Sequence, residues 1–451
     1  MGMQNDIPLQ QRALDLIQQL RAALLDAGLL ARHRRRPQDF TRERVLTFPV
    51  LMLLLLQKSL KSLQAHLHEL LWQLGGPAGP MVSAGALTHA RAKLGASAFV
   101  ELNQAAVLPT VYGPTHAALV QRWRGLRLLG IDGSLERLPD SAEVREKFGV
   151  VQDANQHGAQ GSYPQGRASA LFDLLNQVAL DAHLVPWRQG ETDLAHAHLP
   201  VLEPADLAIT DRGYAGYRWF VAVRQTGGHF LSRCSRGSFA IVQQLFARDE
   251  AGVSVTVTLR APPDGRQECR ARGWPLELVV RFVTVRLSTG QLEVLATSLL
   301  EEAAYPTESF GELYWRRWGQ ETFYGRLKGR LDLEHCSGAT VEAVEQDFNA
   351  IILLSNVESV VIGSAAAQLA QASTGRAVPV QVNRAGSLHA LKCRLIDLLA
   401  SAVPAEEVLA QLTEWFLHNP TRVRRGRQVP RREFSPSRSY HYQRRIRKMV
   451  F

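Results

Sequence analysis

Cysteine and long apolar runs are scarce in this sequence. The 451 residues include four cysteines, widely scattered and without a Cys-x2-Cys pair, which argues against a disulfide scaffold or a zinc ribbon. The longest apolar run, Phe48–Leu56, contains a proline and has nine residues, whereas a membrane-spanning helix needs about 20. Residues 1–10 lack the apolar stretch of a signal peptide. We therefore expect a protein of a reducing compartment, with no membrane partner.

Acidic residues are nearly missing from the C-terminal arm, residues 421–451. This segment holds eleven Arg or Lys residues and one acid, Glu433, so its formal charge equals the net charge of +10 of the whole chain. A basic arm predicts a polyanionic partner, nucleic acid before membrane. Pro430, Pro436 and Gly426 favour an extended arm that binds the DNA backbone without reading sequence. The alternative is a solvated tail that only aids solubility.

The first hundred residues have a helical pattern. Leu14, Ile17 and Leu20 recur at helical spacing. Further on, the Gly/Pro-rich turn at 75–80 precedes Ser83, a plausible N-cap for a helix over Ala84–Leu94. Helix, turn and second helix resemble a helix-turn-helix, although an ordinary helical hairpin is the alternative. In a helix-turn-helix, the second helix would present these side chains to DNA: Thr88, His89, Arg91 and Lys93.

Strand signals begin after residue 115. Leu126–Ile131 predicts a short strand that ends at Asp132, in a turn with sequence Asp-Gly-Ser, and Leu207–Thr210 predicts another that ends at Asp211, in a turn with sequence Asp-Arg-Gly-Tyr. Residues 152–167 are polar and Gly-rich and are predicted to form a loop. Ligand groups gather at strand ends in α/β sheets, but aspartate is also a common turn former, so these two residues alone do not define a site.

A β-rich segment follows at 228–300. Val253–Leu259 alternates apolar and polar residues, and Leu276–Leu287 and Leu292–Leu300 are largely apolar. These patterns predict a mostly antiparallel unit that lies outside the central sheet.

After the two aspartates, the third feature that could take part in catalysis is a helix predicted to begin at Glu308. On a continuous helix, Tyr314, Arg317, Glu321 and Lys328 would occupy one stripe about 60° wide. A stripe of these residue types would not face a hydrophobic core. It places one carboxylate among cationic side chains, which suits a site that binds both metal and phosphate. A solvated charged face is the alternative.

The spacing Tyr314-x2-Arg317-x3-Glu321-x6-Lys328 resembles the Y-R-E-K signature of a large family of bacterial insertion-sequence transposases of the DDE type. At about 5% usage per residue type, four fixed identities match by chance in roughly one window in 10⁵. The family's first Asp lies in an Asp-Gly-Ser/Thr turn, as does Asp132. The resemblance extends from about residue 40 to 370.

The family's second Asp lies in an Asp-x-Gly-Tyr/Phe turn, as does Asp211. The resemblance implies that Asp132, Asp211 and Glu321 are the catalytic residues and the ligands of two Mg²⁺ ions, with Mn²⁺ as a possible substitute. Asp132 would bridge the two ions. Carboxylate oxygens suit such hard cations. Two ions about 3.5–4 Å apart can activate the attacking oxygen of a phosphodiester reaction and stabilise the leaving one.

The resemblance further implies that Tyr314, Arg317 and Lys328 bind DNA phosphates and do not bind metal. The partners would be double-stranded DNA, at the element ends and at the target, and a second copy of the chain in a synaptic homodimer. The location would be the bacterial cytoplasm, on nucleoid-associated DNA.

The implied fold is α/β: a ribonuclease-H-like catalytic core with a β-rich insertion. We predict a helical DNA-binding N-terminal region (1–115), the first part of the core (116–227), the insertion (228–305), the second part of the core with the catalytic Glu (306–370), and a C-terminal helical region with the basic tail (371–451).

One departure concerns the last strand of the insertion, where some relatives carry a Trp that stacks on a flipped base. Residues 292–298 contain no aromatic residue, and Glu293 lies near that position, while Trp274 lies on an earlier segment. The resemblance to the family therefore gives no reason to expect that this chain flips a base by this route.

Other candidate groups are predicted to be non-catalytic. The acids Glu136, Asp140 and Glu191 lie near the motifs. His196 and His198 have no Cys or further His close in sequence and are not expected to bind metal.

Three other functions compete with the transposase interpretation. A transposase-derived DNA binder would need a broken triad, whereas a structure-specific nuclease could use the same site without strand transfer. A helical interaction protein with a stabilising basic tail would leave the three motifs unexplained.

Overall fold

The computed structural model describes residues 6–42, 45–59, 61–75, 82–154, 160–287, 290–376 and 378–423. The chain divides into two compact units. Unit 1 comprises residues 1–120, 136–166 and 326–451, and unit 2 comprises residues 121–135 and 167–325. These units do not follow the five predicted segments, since the predicted N-terminal, core and C-terminal segments all contribute residues to unit 1. The predicted segment boundaries stay a prediction.

The helices of the described residues are, in chain order, α1 (Asp6–Leu25), α2 (Ala27–His33), α3 (Phe48–Gln57), α4 (Leu63–Gln73), α5 (Ala84–Arg91), α6 (Ser97–Leu102), α7 (Leu108–Tyr112), α8 (Ala142–Phe148), α9 (Glu191–Ala197), α10 (Tyr217–Gln225), α11 (Ala240–Arg248), α12 (Arg266–Ala271), α13 (Ser309–Trp315), α14 (Trp318–Gly329), α15 (Val341–Val361), α16 (Gly363–Ala372), α17 (Arg384–Leu399) and α18 (Ala405–His418).

The strands are β1 (Arg127–Arg137), β2 (Val150–Ala154), β3 (Gln160–Asp173), β4 (Val178–Pro186), β5 (Asp206–Thr210), β6 (His229–Arg233), β7 (Ser254–Arg260), β8 (Glu277–Arg286), β9 (Leu292–Thr297), β10 (Val380–Val382) and β11 (Pro420–Arg422). The α/β class is therefore confirmed. The loop predicted over 152–167 is wrong at both ends, because residues 152–154 belong to β2 and residues 160–167 to β3, while residues 155–159 lie outside the described residues.

Unit 2 is built on a mixed sheet. Its strand order is β3-β1-β5-β6-β9-β8-β7, with β4 paired to β3. Strands β1, β5 and β6 are parallel, and the register aligns Leu128 with Leu207 and Leu207 with His229. Every residue of β5 is buried, as expected for a central parallel strand.

Helix α14 packs closely on this sheet because residue 130 is a glycine. A Cβ at Gly130 would lie 2.9 Å from Gln320 Oε1 and 3.1 Å from the Leu174 side chain. Gln320 Nε2 donates to the Ala170 carbonyl, and the Phe172 and Phe323 rings stack with centroids 4.2 Å apart. These contacts fix the next residue, Glu321, near the end of the parallel part of β1.

The predicted β-rich segment is antiparallel, but its placement outside the central sheet is wrong. Strand β9 pairs with β6, with Leu231 opposite Thr297, and β8 and β7 follow in the same sheet. Strand β6 would otherwise present an open edge, and β9 covers it. Period-2 alternation predicts that a segment is a strand, but it does not say which strand edge it joins.

Unit 1 contains the predicted second helix of the helix-turn-helix. Ser83 accepts the Ala86 N–H as its N-cap, which confirms the predicted start of α5, while most of the predicted turn lies outside the described residues. The proposed role of Arg91 in reading DNA is wrong, because Arg91 is buried and bonds to Asp347, Gln346 and Ser337. The other three predicted DNA contacts, Thr88, His89 and Lys93, are exposed.

Two further findings concern unit 1. Within the described ranges, no single helix is both long and apolar enough to cross a membrane; the bent pair α15 and α16 meets that criterion only when taken together. The basic arm begins in β11, which pairs with β10, and from residue 424 onward it lies outside the described residues.

Candidate active site

Asp132 lies on β1, just past the end of its pairing with β5. The aligned residues end at Gly130 and Ile209. The predicted turn at Asp132 is wrong, because β1 continues as a strand to Arg137. The Tyr324 hydroxyl donates to the Asp132 carbonyl at 3.0 Å, which ties this strand to α14.

Asp211 follows the last residue of β5, as predicted. Its side chain accepts the Arg212 N–H at 2.7 Å and begins a short 3-10 turn over Arg212–Tyr214. The Tyr314 hydroxyl donates to Asp211 Oδ1 at 3.2 Å. Burial raises the pKa of Tyr314 well above its usual range, so this hydroxyl keeps its proton and remains a donor.

The predicted single helix carrying the Y-R-E-K residues is wrong, because it breaks between α13 and α14. Arg317 lies in this break, where the N–H groups of Arg317 and Gln320 bond to carbonyls three residues earlier. Such bonding is the tighter 3-10 pattern. It abolishes the continuous stripe and turns the Arg317 side chain into the unit, where it is buried.

The three predicted carboxylates converge on the Arg317 guanidinium. Arg317 Nη2 lies 3.0 Å from Glu321 Oε1 and 4.0 Å from Asp211 Oδ2, and Nη1 lies 3.8 Å from Asp132 Oδ2. The Asp211 and Glu321 oxygens share one nitrogen neighbour, so their separation cannot exceed the sum of those two distances. Residues far apart in sequence thus form one acidic cluster around the Arg317 guanidinium, and Arg233 approaches its edge at Asp211.

Burial dominates the electrostatics of Asp132. It raises the pKa of this carboxyl to about 6, and the negative charges of Glu191 and Asp211 add to the effect, while Arg317 and the Gly133 N–H oppose it. A cation close to a buried carboxyl favours its ionised form. A cation bound beside Asp132 would therefore offset the effect of burial on this carboxylate.

Lys328, the last residue of the signature, belongs to unit 1. There its Nζ lies 3.3 Å from Glu136 Oε1, and Glu136 is buried. Its phosphate-binding role stays a prediction, as do those of Tyr314 and Arg317.

Sequence reasoning did not single out two arginines near Asp211, of which Arg233 is half-buried and Arg212 is exposed. Arg233, at the end of β6, lies 3.8 Å from Asp211 and forms a double hydrogen bond with Glu293 on β9. Arg212 also reaches Glu293, at 3.5 Å. Glu293 stands where some relatives carry the stacking Trp, and here it anchors two arginines. The departure of Glu293 from the family pattern could have indicated a charged partner nearby.

A cavity of about 530 Å³ adjoins these arginines. Its lining includes Arg212, Glu293, Arg236, Phe246 and Cys234. The lining also includes Asp249, so two arginines and two acids face this opening.

Glu191 is the fourth acid near Asp132. A Cβ added to Gly133 would lie 3.0 Å from Glu191 Cγ, so the glycine allows this close approach. Glu191 is paired with Arg167. Asp140 is paired with Arg145 at the surface of unit 1. The prediction that these acids are non-catalytic stays a prediction.

His198 has a histidine neighbour that the local sequence does not reveal. The rings of His183 and His198 lie 4.9 Å apart, with Asp181 between their nitrogens. The prediction that His198 does not bind metal stays a prediction, but it considered only neighbours in sequence and so did not take His183 into account.

Comparisons with known proteins bear on the identity of this site. A family described as the transposase DDE domain matches residues 123–357, slightly more than half of the chain. Transposase InsG for insertion sequence element IS4, from Escherichia coli (strain K12), is 25% identical over 286 residues, which is 62% of this chain and 61% of that protein. The InsZ protein of the same organism is 33% identical over 105 residues, 23% of this chain and 34% of that protein.

The chain thus spans about three fifths and about a third of the lengths of these two relatives. A cryo-EM structure of a piggyBac transposase synaptic complex with hairpin DNA covers 90% of this chain and 81% of its own, at 11% identity and a TM-score of 0.43. That score is too low to bear on the fold.

The family match covers all three converging carboxylates and more than half of the sequence. The prediction of the family is confirmed: the chain belongs to the DDE transposase family.

Proposed function

We propose that this chain is a DNA transposase that cleaves the ends of an insertion sequence and joins them to target DNA. The observation that carries the proposal is the position of the Arg317 guanidinium, within 4.0 Å of Asp132, Asp211 and Glu321. Arg233 also approaches Asp211 but is paired with Glu293, so the three carboxylates around Arg317 leave a surplus of negative charge. Phosphodiester cleavage by divalent ions requires such a site.

The fold proposal is a ribonuclease-H-like catalytic core. Three parallel strands, β1, β5 and β6, form the centre of the unit 2 sheet, and β3 lies on the other side of β1. Asp132 and Asp211 follow the paired parts of β1 and β5, and α14 brings Glu321 to the same place. This arrangement supports the core that the motifs imply.

The residues present fit two Mg²⁺ ions, and Mn²⁺ should substitute. All three carboxylates are partly exposed, so their oxygens can exchange water for a cation. Asp132 would bridge the ions and Asp211 and Glu321 would each hold one. When bound, the ions supply the activation of the attacking oxygen and the stabilisation of the leaving oxygen.

The remaining side chains of the signature position the carboxylates and the DNA. Tyr314 orients Asp211 through its hydroxyl group. Once cations neutralise the carboxylates, Arg317 is available to a DNA phosphate, where its planar group can donate two parallel hydrogen bonds. Lys328 would bind a further phosphate as a point charge.

The substrate would be double-stranded DNA, held at two element ends by a dimer of this chain. Arg212, exposed and next to Asp211 in the chain, supports a backbone contact near the carboxylates. Joining two ends in one reaction calls for two active sites, which is why a synaptic homodimer is part of the proposal.

The test is a strand-transfer assay with labelled duplexes that carry the inverted repeats flanking the gene. We expect nicked and then joined products in Mg²⁺, and neither product with Asp211→Asn. Glu312→Gln is the matched control, because Glu312 is exposed and pairs only locally with Arg316. Cleavage without joined product would instead identify a nuclease, and binding without cleavage would identify a transposase-derived DNA binder.

A further inference from the structure

Unit 2 contains a second group of metal-ligand side chains that the proposed transposition chemistry does not use. Asp181 and His183 are two residues apart on β4 and therefore project from the same face of the strand. His198 immediately follows α9. One ligand atom from each of the three lies within 4.8 Å of the others.

Both imidazoles turn a nitrogen towards the same carboxylate oxygen. Asp181 Oδ2 lies 2.7 Å from His198 Nδ1 and 2.9 Å from His183 Nε2. Within the described part of the chain, His183 Nε2 is buried and makes no well-directed hydrogen bond despite this short distance. A nitrogen lone pair in that position is available to an ion.

The orientation of His198 is fixed from its other side. Its Nε2 lies 2.9 Å from Ser169 Oγ on β3, and the side chain is fully buried. A hydrogen bond to the second ring nitrogen sets the tautomer and ring angle of metal-binding histidines. The same ring directs Nδ1 at Asp181 Oδ2, 2.7 Å away, and a bound cation would take the place of the proton shared across this contact.

Asp181 supplies the anionic ligand. Its Oδ2 lies within hydrogen-bond distance of both imidazoles, and its side chain is largely buried between them. A cation bound to the two ring nitrogens would replace the protons that they otherwise share with this carboxylate.

We propose that Asp181, His183 and His198 form a binding site for one divalent transition-metal ion of the zinc class. Two imidazole nitrogens and one carboxylate oxygen suit Zn²⁺ or Co²⁺ better than Mg²⁺. The His183 side chain is 35% exposed, so water can supply a further ligand.

The site would fasten the end of α9 to β4. Helix α9 begins at Glu191, the acid that lies against Gly133 beside Asp132. A metal at its other end would therefore stabilise one wall of the candidate active site. The role is structural and does not depend on the proposed transposition activity.

The test uses full-length protein stripped of metal and titrated with Co²⁺ in excess Mg²⁺, so that Mg²⁺ competes for the Asp132, Asp211 and Glu321 carboxylates. We expect one Co²⁺ per chain with the visible absorption of a nitrogen-ligated site, and a rise in Tm on adding Zn²⁺. The double variant Asp211→Asn/Glu321→Gln should keep this signal, which separates the site from the catalytic carboxylates.

His183→Gln should weaken Co²⁺ binding at least about 100-fold, while its metal-free Tm stays near that of the wild type because the side chain is partly exposed. His196→Gln is the control: His196 lies on α9, two residues before His198, bonds to the Thr192 carbonyl and should leave Co²⁺ binding intact. The proposal is overturned if the wild type takes up no Co²⁺ under Mg²⁺ competition, or if His183→Gln binds it as tightly as the wild type.

Discussion

The molecule contains two arginine–carboxylate clusters that differ in balance and in access to water. In unit 1, the Arg91 cluster sets one guanidinium against one carboxylate, Asp347, whose side chain is 1% exposed and accepts further hydrogen bonds from Ser337. In unit 2, the Arg317 cluster sets one guanidinium against Asp132, Asp211 and Glu321, whose side chains are 26–38% exposed.

The difference separates a structural ion pair from a cation site. In the Arg91 cluster, one positive charge is paired with one negative charge and both side chains are buried from water. This pair therefore links helices and does not require an added ion. The Arg317 cluster has more carboxylates than guanidinium groups, since Arg233 at its edge is paired with Glu293, and it lies open. Charge balance together with exposure, rather than residue type, indicates which cluster can perform chemistry.

The largest expected effect is on catalysis, from Glu321→Gln. The change keeps the size of the side chain and removes a metal ligand, so DNA cleavage should fall at least about 1,000-fold, equivalent to about 4 kcal/mol of transition-state stabilisation. DNA affinity should change little, because the fold does not depend on this charge. Cleavage rates and gel-shift affinities, compared with those of Glu312→Gln, check both statements. Cleavage near the wild-type rate would remove Glu321 from the proposed mechanism.

The next effect concerns stability and contrasts the two arginines. Arg91→Ala leaves Asp347 buried and charged without its partner, so it should destabilise the protein by about 3–5 kcal/mol. Arg317→Ala should cost much less, because water reaches the carboxylates that it leaves behind. Denaturant unfolding of both variants in metal-free buffer measures the difference, with Arg316→Ala as the exposed control. Equal losses for Arg91→Ala and Arg317→Ala would erase the distinction between the clusters.

A smaller effect of opposite sign is expected for Asp132→Asn. Since the folded protein raises the pKa of Asp132 to about 6 from 3.8, the contribution of this group to stability is greatest below pH 3.8 and is lost as the pH rises through 6. At pH 7 without metal, Asp132→Asn should therefore stabilise the protein by about 1–3 kcal/mol.

This gain should vanish at pH 4 and when Mg²⁺ is added to the wild type. Thermal unfolding at several pH values tests it, with Asp193→Asn as the control because Asp193 is an exposed partner of Arg218. A destabilised Asp132→Asn protein at pH 7 would show that the carboxylate is already compensated without an ion.

The smallest effect concerns the basic arm. Truncation after Val423 keeps β11 and removes ten of the eleven arm cations. Binding to all DNA sequences should weaken alike, and the log–log salt slope should flatten by about 0.9 for each phosphate that the arm no longer neutralises. Unchanged affinity and slope would leave the arm with a role in solubility only.

Short local patterns predicted the acidic cluster well. The turn signal at Asp211, the residues around Asp132 and the spacing from Tyr314 to Glu321 each need only a few neighbouring residues to be recognised. The family assignment followed from their order. The N-cap at Ser83 is local in the same sense, because the side chain bonds to a backbone group three residues away.

Features that depend on distant packing could not be predicted in this way. The break at Arg317 depends on how α14 meets the sheet through Gly130 and Gln320. The pairing of β9 with β6 joins segments that are about 60 residues apart. The approach of His183 to His198 likewise needs β4 and α9 to be in place. Arg91 looked like a DNA-reading residue because its partner, Asp347, is 256 residues away.

The central claim is that the cluster of Asp132, Asp211 and Glu321 exchanges the Arg317 cation for divalent ions. A crystal structure of the protein with Mn²⁺ and a cleaved element end tests it most directly, since anomalous scattering locates the ions. The account predicts two ions about 3.5–4 Å apart among the three carboxylates, with the Arg317 guanidinium on a DNA phosphate. Ions bound elsewhere, with Arg317 still held between the carboxylates, would contradict it.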